Sequence, residues 1–96
     1  QAHLPVNSVA LPVVTEAAQN AKEISFSYRG ETRRLHPYGV LGRGGYWYVV
    51  GADQMRNAIR SFRVDRIEGK VKIGDATFER PQGFDIQAAV ATDTEM

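Results

Sequence analysis

Glu23-Ile24-Ser25-Phe26-Ser27-Tyr28-Arg29-Gly30-Glu31 is the stretch whose reading decides the fold. Ile24, Phe26 and Tyr28 alternate with Ser25, Ser27 and Arg29, the two-residue period of a strand with one buried face. Gly30-Glu31 reads as a two-residue turn with glycine first, which suits a tight hairpin. The return strand is expected over residues 32–41, with Pro37 marking an edge or a bulge inside it. Gly42-Arg43-Gly44-Gly45 turns the chain again, and residues 46–51, rich in aromatic and β-branched side chains, form a third strand.

Working outward, residues 53–57 read as a polar loop, 58–67 as a fourth strand and Glu68-Gly69 as a turn. A fifth strand begins over 70–73, bends at Gly74-Asp75 and continues through Ala76, Thr77 and Phe78. On the N-terminal side, Pro12 is suited to opening a helix. Val14, Ala17, Ala18 and Ala21 then recur at helical spacing, predicting one short amphipathic helix to about Lys22. Pro81 and Gly83 end the sheet, and Asp85 is a plausible N-cap for a last helix over 86–91. The organisation expected is a leader or linker at 1–11, a helix plus barrel at 12–80, and a short helix with a fraying tail at 81–96. The fold class is mainly β with short flanking helices, its five short strands forming a small, strongly bent β-barrel.

Ninety-six residues, 43% of them hydrophobic, make one domain with a modest core. The absence of cysteine removes disulfides, thiolate nucleophiles and cysteine-ligated zinc, and fits a cytoplasmic protein. No apolar run approaches the roughly 20 residues of a membrane helix, and no membrane partner is expected. The chain begins at Gln1 without a signal pattern, as expected of a piece of a longer protein.

Net charge is +1, but it is unevenly spread. Residues 27–66 carry eight basic and three acidic side chains, and every one of the eight is arginine. The three lysines lie outside that segment. Arginine presents a rigid fork that fits phosphate or carboxylate and stacks on aromatic rings. An arginine-only centre therefore points to recognition of an anionic ligand.

Four stretches hold the densest chemistry: Ser27-Tyr28-Arg29, Arg34-Leu35-His36-Pro37-Tyr38-Gly39, Gly45-Tyr46-Trp47-Tyr48-Val49-Val50 and Arg60-Ser61-Phe62-Arg63-Val64-Asp65-Arg66-Ile67. In this order and at these spacings they resemble the WYL-domain family of bacterial transcription regulators, with Trp47-Tyr48-Val49 in place of the Trp-Tyr-Leu triplet. The resemblance runs from about Val14 to Phe78, and residues 81–90 look like the proteasome-accessory-factor type of these regulators. It implies an Sm-like or SH3-like β-barrel acting as a sensor. The implied ligand is a nucleotide, oligonucleotide or single-stranded nucleic acid. The implied partners are a helix-turn-helix DNA-binding domain in the full-length chain and a second subunit, as a homodimer or paralogue heterodimer.

Carried over by position, Arg34 matches the family's arginine before Pro-Tyr, while Arg60 and Arg63 flank the phenylalanine of the last motif. The expected ligand-binding set is Ser27, Tyr28, Arg34, His36, Tyr48, Arg60, Arg63 and Arg66. Each has a plainer alternative. Trp47 and Val49 point to one face and Tyr46, Tyr48 and Val50 to the other, and a lone tryptophan is more often core than platform. Strict alternation puts Arg60 and Arg66 on one face and Arg63 on the other. Arg33 and Arg34, adjacent in a strand, must face opposite ways. Arg66 beside Asp65 fits a surface ion pair.

His36 has no partner at metal-ligand spacing and His3 lies in the leader, so neither a metal nor another cofactor is expected. The glycines of 39–45 precede a strand and no Lys-Ser follows, which argues against a phosphate loop. No serine–histidine–acid set or credible carboxylate pair appears, so the chain is not expected to be an enzyme. The rival to a sensor is a protein-interaction or dimerisation module without its own ligand; a general RNA-binding barrel is a third reading.

Overall fold

The computed structural model describes residues 9–92. Helix α1 (Ala10–Gln19) starts two residues before Pro12, which therefore stands in the first turn, where its missing N–H deprives the helix of nothing. Its buried stripe is Ala10, Val14, Ala17 and Ala18. Ala21, with φ 53°, turns the chain out of the helix, so Lys22 already belongs to a strand.

Strands β1 (Lys22–Tyr28), β2 (Glu31–Arg43), β3 (Tyr46–Asp53) and β4 (Ala58–Arg63) form an antiparallel meander. A 3-10 turn at Val64–Arg66 then carries the chain across to β5 (Ile67–Thr77), which pairs with β1. The sheet order is β4-β3-β2-β1-β5. No ladder joins β4 to β5 among the described residues, so the sheet is open where a barrel was expected. Helix α2 (Ile86–Thr92) follows Asp85, whose Oδ1 accepts from the Ala88 amide at 3.1 Å, as an N-cap does.

Four local readings shift, one being the fourth strand, expected over 58–67, which ends at Arg63 where the 3-10 turn begins. The first hairpin turns at Arg29-Gly30, not Gly30-Glu31: both residues have positive φ (52° and 77°), and Tyr28 pairs with Glu31. The second turn is confined to Gly44-Gly45, at φ 62° and 88°, with Arg43 facing Tyr46. Glu68-Gly69 is no turn; Gly69, at φ 75°, lies within β5 where its register with β1 slips. Pro37 does mark a bulge, since the β2–β3 register shifts between Pro37 and Gly39. Opposite it, Gly51 is obligatory, because a β-carbon there would land on the His36 carbonyl oxygen.

The pleat sorts side chains as the alternation predicts. One face of the sheet carries Ile24, Phe26, Tyr28, Leu35, Val49 and Phe62, closed over by Val14 and Ala17 of α1 and by Val64 and Ile67. We call this the inner face. Trp47 packs half-buried at the margin of that core. On the outer face, α2 lies against β2, β3 and β4, where Val50 and Ser61 are buried and Gly39 leaves room for Ile86.

Candidate functional site

Three charged side chains, Arg33, Asp53 and Arg60, stand on the inner face beside the aromatic core. Phe26 pairs with Arg33 across the β1–β2 ladder, Leu35 with Asp53 across β2–β3, and Gly51 with Arg60 across β3–β4. The rings of Phe26, Tyr28 and Phe62 meet edge to face, with centroids 4.9–6.2 Å apart. Arg33 lies over two of them, its guanidinium carbon 5.7 Å from Tyr28 and 5.5 Å from Phe62; Arg60 approaches Phe62 at 5.5 Å. Arg33 is only 8% exposed, and its buried Nε has no hydrogen-bond partner. Glu31 Oε1 lies 3.3 Å from an Nη2 of both Arg33 and Arg56.

Asp53 is fully buried and holds this corner together. Its Oδ1 accepts from the Met55 amide (2.8 Å) and the Arg56 amide (3.2 Å), and its carbonyl accepts from the Asn57 amide (2.8 Å). The turn carrying Arg56 is thereby fixed to the end of β3. The other carboxylate oxygen, Oδ2, makes no hydrogen bond and faces Arg60 Nη1 at 3.7 Å. A cavity of about 340 Å³ opens here, lined by Glu31, Thr32, Arg33, Met55 and Arg56.

The outer face holds separate polar groups. Arg34 Nε donates to Glu23 Oε2 at 3.1 Å, and His36 Nε2 lies 2.9 Å from Glu23 Oε1. Partial burial would raise the Glu23 carboxyl, but the hydrogen bonds and charges of Arg34 and His36 outweigh it and hold the group below its ordinary pKa. The His36 ring stacks on Phe78 at 4.5 Å, and Tyr38 touches both Phe78 and Phe84. Further along, Arg63 makes a two-point pair with Asp65 (3.0 and 2.7 Å) and lies 3.4 Å over the Tyr46 ring. That hydrogen-bonded pair raises the Arg63 pKa and depresses the Asp65 one. Tyr48, half-buried, faces Arg63 across the ladder. Between β1 and β5, Ser27 Oγ donates to Glu68 at 3.0 Å beside a shallow groove lined also by Lys70 and Lys72.

The eight expected residues thus do not converge. Tyr28 is in the core, 1% exposed, its hydroxyl accepting from the Arg63 amide at 3.2 Å rather than standing at a rim. Arg60 lies on the inner face; Arg34 and His36 share one outer cluster, and Arg63 and Tyr48 another. Arg66 sits in the 3-10 turn and Ser27 at the groove. The residues that accompany Arg60 are Arg33, Arg56 and Asp53, none of them in the expected set. Arg33 was findable: Leu35, two residues on, is apolar, so the pleat that buries Leu35 also buries Arg33.

The family model for the WYL domain matches residues 9–71, most of the chain. The chain belongs to the WYL domain family. PafB of Mycobacterium bovis and of Mycobacterium tuberculosis are each 35% identical to it over 89 residues, covering 84% of this chain and 27% of PafB. PafB of Mycobacterium leprae is 34% identical over the same length. Among solved structures, proteasome accessory factor B/C (PafBC) of Arthrobacter aurescens superposes with a TM-score of 0.82 at 30% identity, over 95% of this chain and 15% of that one. This WYL domain therefore spans about a quarter of the length of the PafB relatives. Among its described residues no group of three or more His, Asp or Glu side chains is placed to hold a metal, and no helix is long and apolar enough to cross a membrane.

Proposed function

We propose that this WYL domain is a regulatory ligand sensor. It binds a nucleotide, an oligonucleotide or a single-stranded nucleic acid, and passes occupancy to a helix-turn-helix DNA-binding domain in the full-length regulator. The observation that carries the reading is the inner-face corner. Arg33 and Arg60 gather there over Tyr28 and Phe62, and Arg56 joins Arg33 through Glu31, beside a cavity of about 340 Å³. Against Glu31 and Asp53, their three charges leave the corner one positive charge in excess. Buried guanidinium groups held on aromatic faces are already oriented, which lowers the ordering cost of taking up an oxyanion. The sheet order, and the 3-10 turn that swings the chain from one edge to the other, favour reading the sheet as an Sm-like barrel left open between β4 and β5.

The test is a titration of short labelled single-stranded DNA at low and moderate salt. It compares the native domain with an Arg33→Met, Arg60→Met double variant and with Arg63→Ala. Binding should weaken as salt rises, with a log–log slope of about −0.7 per phosphate contacted. It should fall by about tenfold or more in the double variant, since a charge-assisted contact is worth about 1.5–3 kcal/mol, and change little in Arg63→Ala. No binding by the native domain at low salt would refute the nucleic-acid form of the reading.

One observation favours the alternative of a dimerisation module. Both sheet edges are open and each exposes an isoleucine, Ile59 (39%) on β4 and Ile73 (40%) on β5. Sedimentation across concentration separates the two: a tight dimer indifferent to ligand supports the alternative.

A further inference from the structure

Glu31 is an odd partner for the arginines it holds. Its side chain is 59% exposed, and a single oxygen, Oε1, serves both Arg33 and Arg56 at 3.3 Å. Charge-assisted N–H···O contacts normally close to about 2.7–2.9 Å. The same chain shows what a satisfied pair looks like, since Asp65 grips Arg63 with two oxygens at 3.0 and 2.7 Å. Glu31 therefore fills neither guanidinium fork, and Arg33, nine-tenths buried, keeps an Nε with no acceptor.

The surroundings do not yield in compensation. Arg33 lies over the edge-to-face pair of Tyr28 and Phe62, and Arg56 rides on a turn that Asp53 fixes through two backbone amides. Arg33 is the buried part of the receptor, whereas Arg56 and Glu31 reach it from the surface, 53% and 59% exposed. Glu31 opens β2 directly after the Arg29-Gly30 turn and offers both arginines the same single oxygen.

We infer that the Glu31 carboxylate is a built-in stand-in for the ligand's oxyanion, occupying the Arg33–Arg56 receptor loosely until a phosphate-type anion displaces it. The inference rests on the proposed sensing site and adds how that site is regulated. Binding is then an exchange of one anion for another at the Arg33–Arg56 pair, in a corner whose one excess positive charge favours the incoming oxyanion. Weak anions fail to dislodge Glu31, and only a ligand able to fill the forks does so. The chemistry recognised is a phosphate oxyanion, whether free or part of a nucleotide chain.

The test titrates inorganic pyrophosphate and a short oligothymidylate into the native domain, Glu31→Gln and Arg56→Gln, followed by calorimetry and by the Arg33 side-chain N–H signal in NMR. Glu31→Gln should bind both probes roughly three- to tenfold more tightly, the size expected on releasing two exposed ion pairs. Arg56→Gln should weaken both, and the Arg33 Nε–H signal should shift on binding. Tighter binding of the oligothymidylate alone would place the phosphate in a chain, and of both probes would place it in either source. Native binding with Glu31→Gln unchanged or weaker would overturn the stand-in and leave the sensing site intact, because Glu31 would then be a brace. No binding by any variant would overturn the site itself. Binding by Glu31→Gln alone would overturn the stand-in, because a carboxylate that neither probe displaces from the native domain is a permanent block.

Discussion

Asp53 concentrates more structure in one side chain than any arginine near it. It is fully buried, it caps two amides with one oxygen, and it faces Arg60 with the other. Asp53→Ala should cost about 3 kcal/mol in urea unfolding, because two part-buried amides and a partly buried guanidinium lose their acceptor together. Asp53→Asn keeps an oxygen for the amides and should cost about 1 kcal/mol; equal losses would mean that the charge, not the cap, is what matters. Tyr28→Phe removes the acceptor for the Arg63 amide and should destabilise by about 1 kcal/mol, with ligand affinity unchanged because the ring under Arg33 remains. The arginine-rich character of the site was legible in the sequence, but its membership was not. Motif position favoured Arg34 over Arg33, whereas the pleat assigns Arg33 to the corner and sends Arg34 to Glu23. Asp53 and Arg56 were hidden because a loop reading carries no information on which amides a side chain will cap.

At the scale of elements, the β2–β3 hairpin depends on one atom that is missing. Gly51 faces Pro37 at the bulge, and any β-carbon would overlap the His36 carbonyl. Gly51→Ala should therefore lower the unfolding free energy by more than about 2 kcal/mol, well beyond a surface substitution; a neutral result would show that the bulge can relax. The first three strands were readable from the alternation of β1 and the glycine turns at Gly30 and Gly44-Gly45, whereas the fourth was expected to run to residue 67 and ends at Arg63. The fifth was not readable, because Gly69 reads as a turn when isolated. Only the pairing with β1, which sequence alone does not display, shows that a positive-φ glycine is absorbed there as a slip of register. Helix α1 was displaced for a similar reason: Pro12 is tolerated anywhere in a first turn, so it marks the start only to within a few residues.

For the whole molecule, acid stability follows from two carboxylates, Glu23 and Asp65, each held below its ordinary pKa by arginine. A depressed folded-state pKa means the unfolded chain binds protons first. The resulting stability is complete above the unfolded carboxylate range and is lost as pH falls through the folded values. Unfolding midpoints should be flat from neutral pH to about pH 5 and decline below about pH 4. A Glu23→Gln, Asp65→Asn variant should show a shallower decline; a curve parallel to the native one would assign acid lability elsewhere.

The jump made by the 3-10 turn also sets a timetable. Strands β1 to β4 close through neighbouring hairpins, but β5 must return across the chain to bring Ile67 against Tyr28. Loop closure over that span costs more entropy than any hairpin of the meander. The meander should therefore nucleate and β5 dock late, so that truncating Val71 accelerates unfolding while leaving the refolding rate nearly untouched. A nascent chain emerging from the ribosome would hold a formed hairpin stack with one bare flank until its last strand arrived.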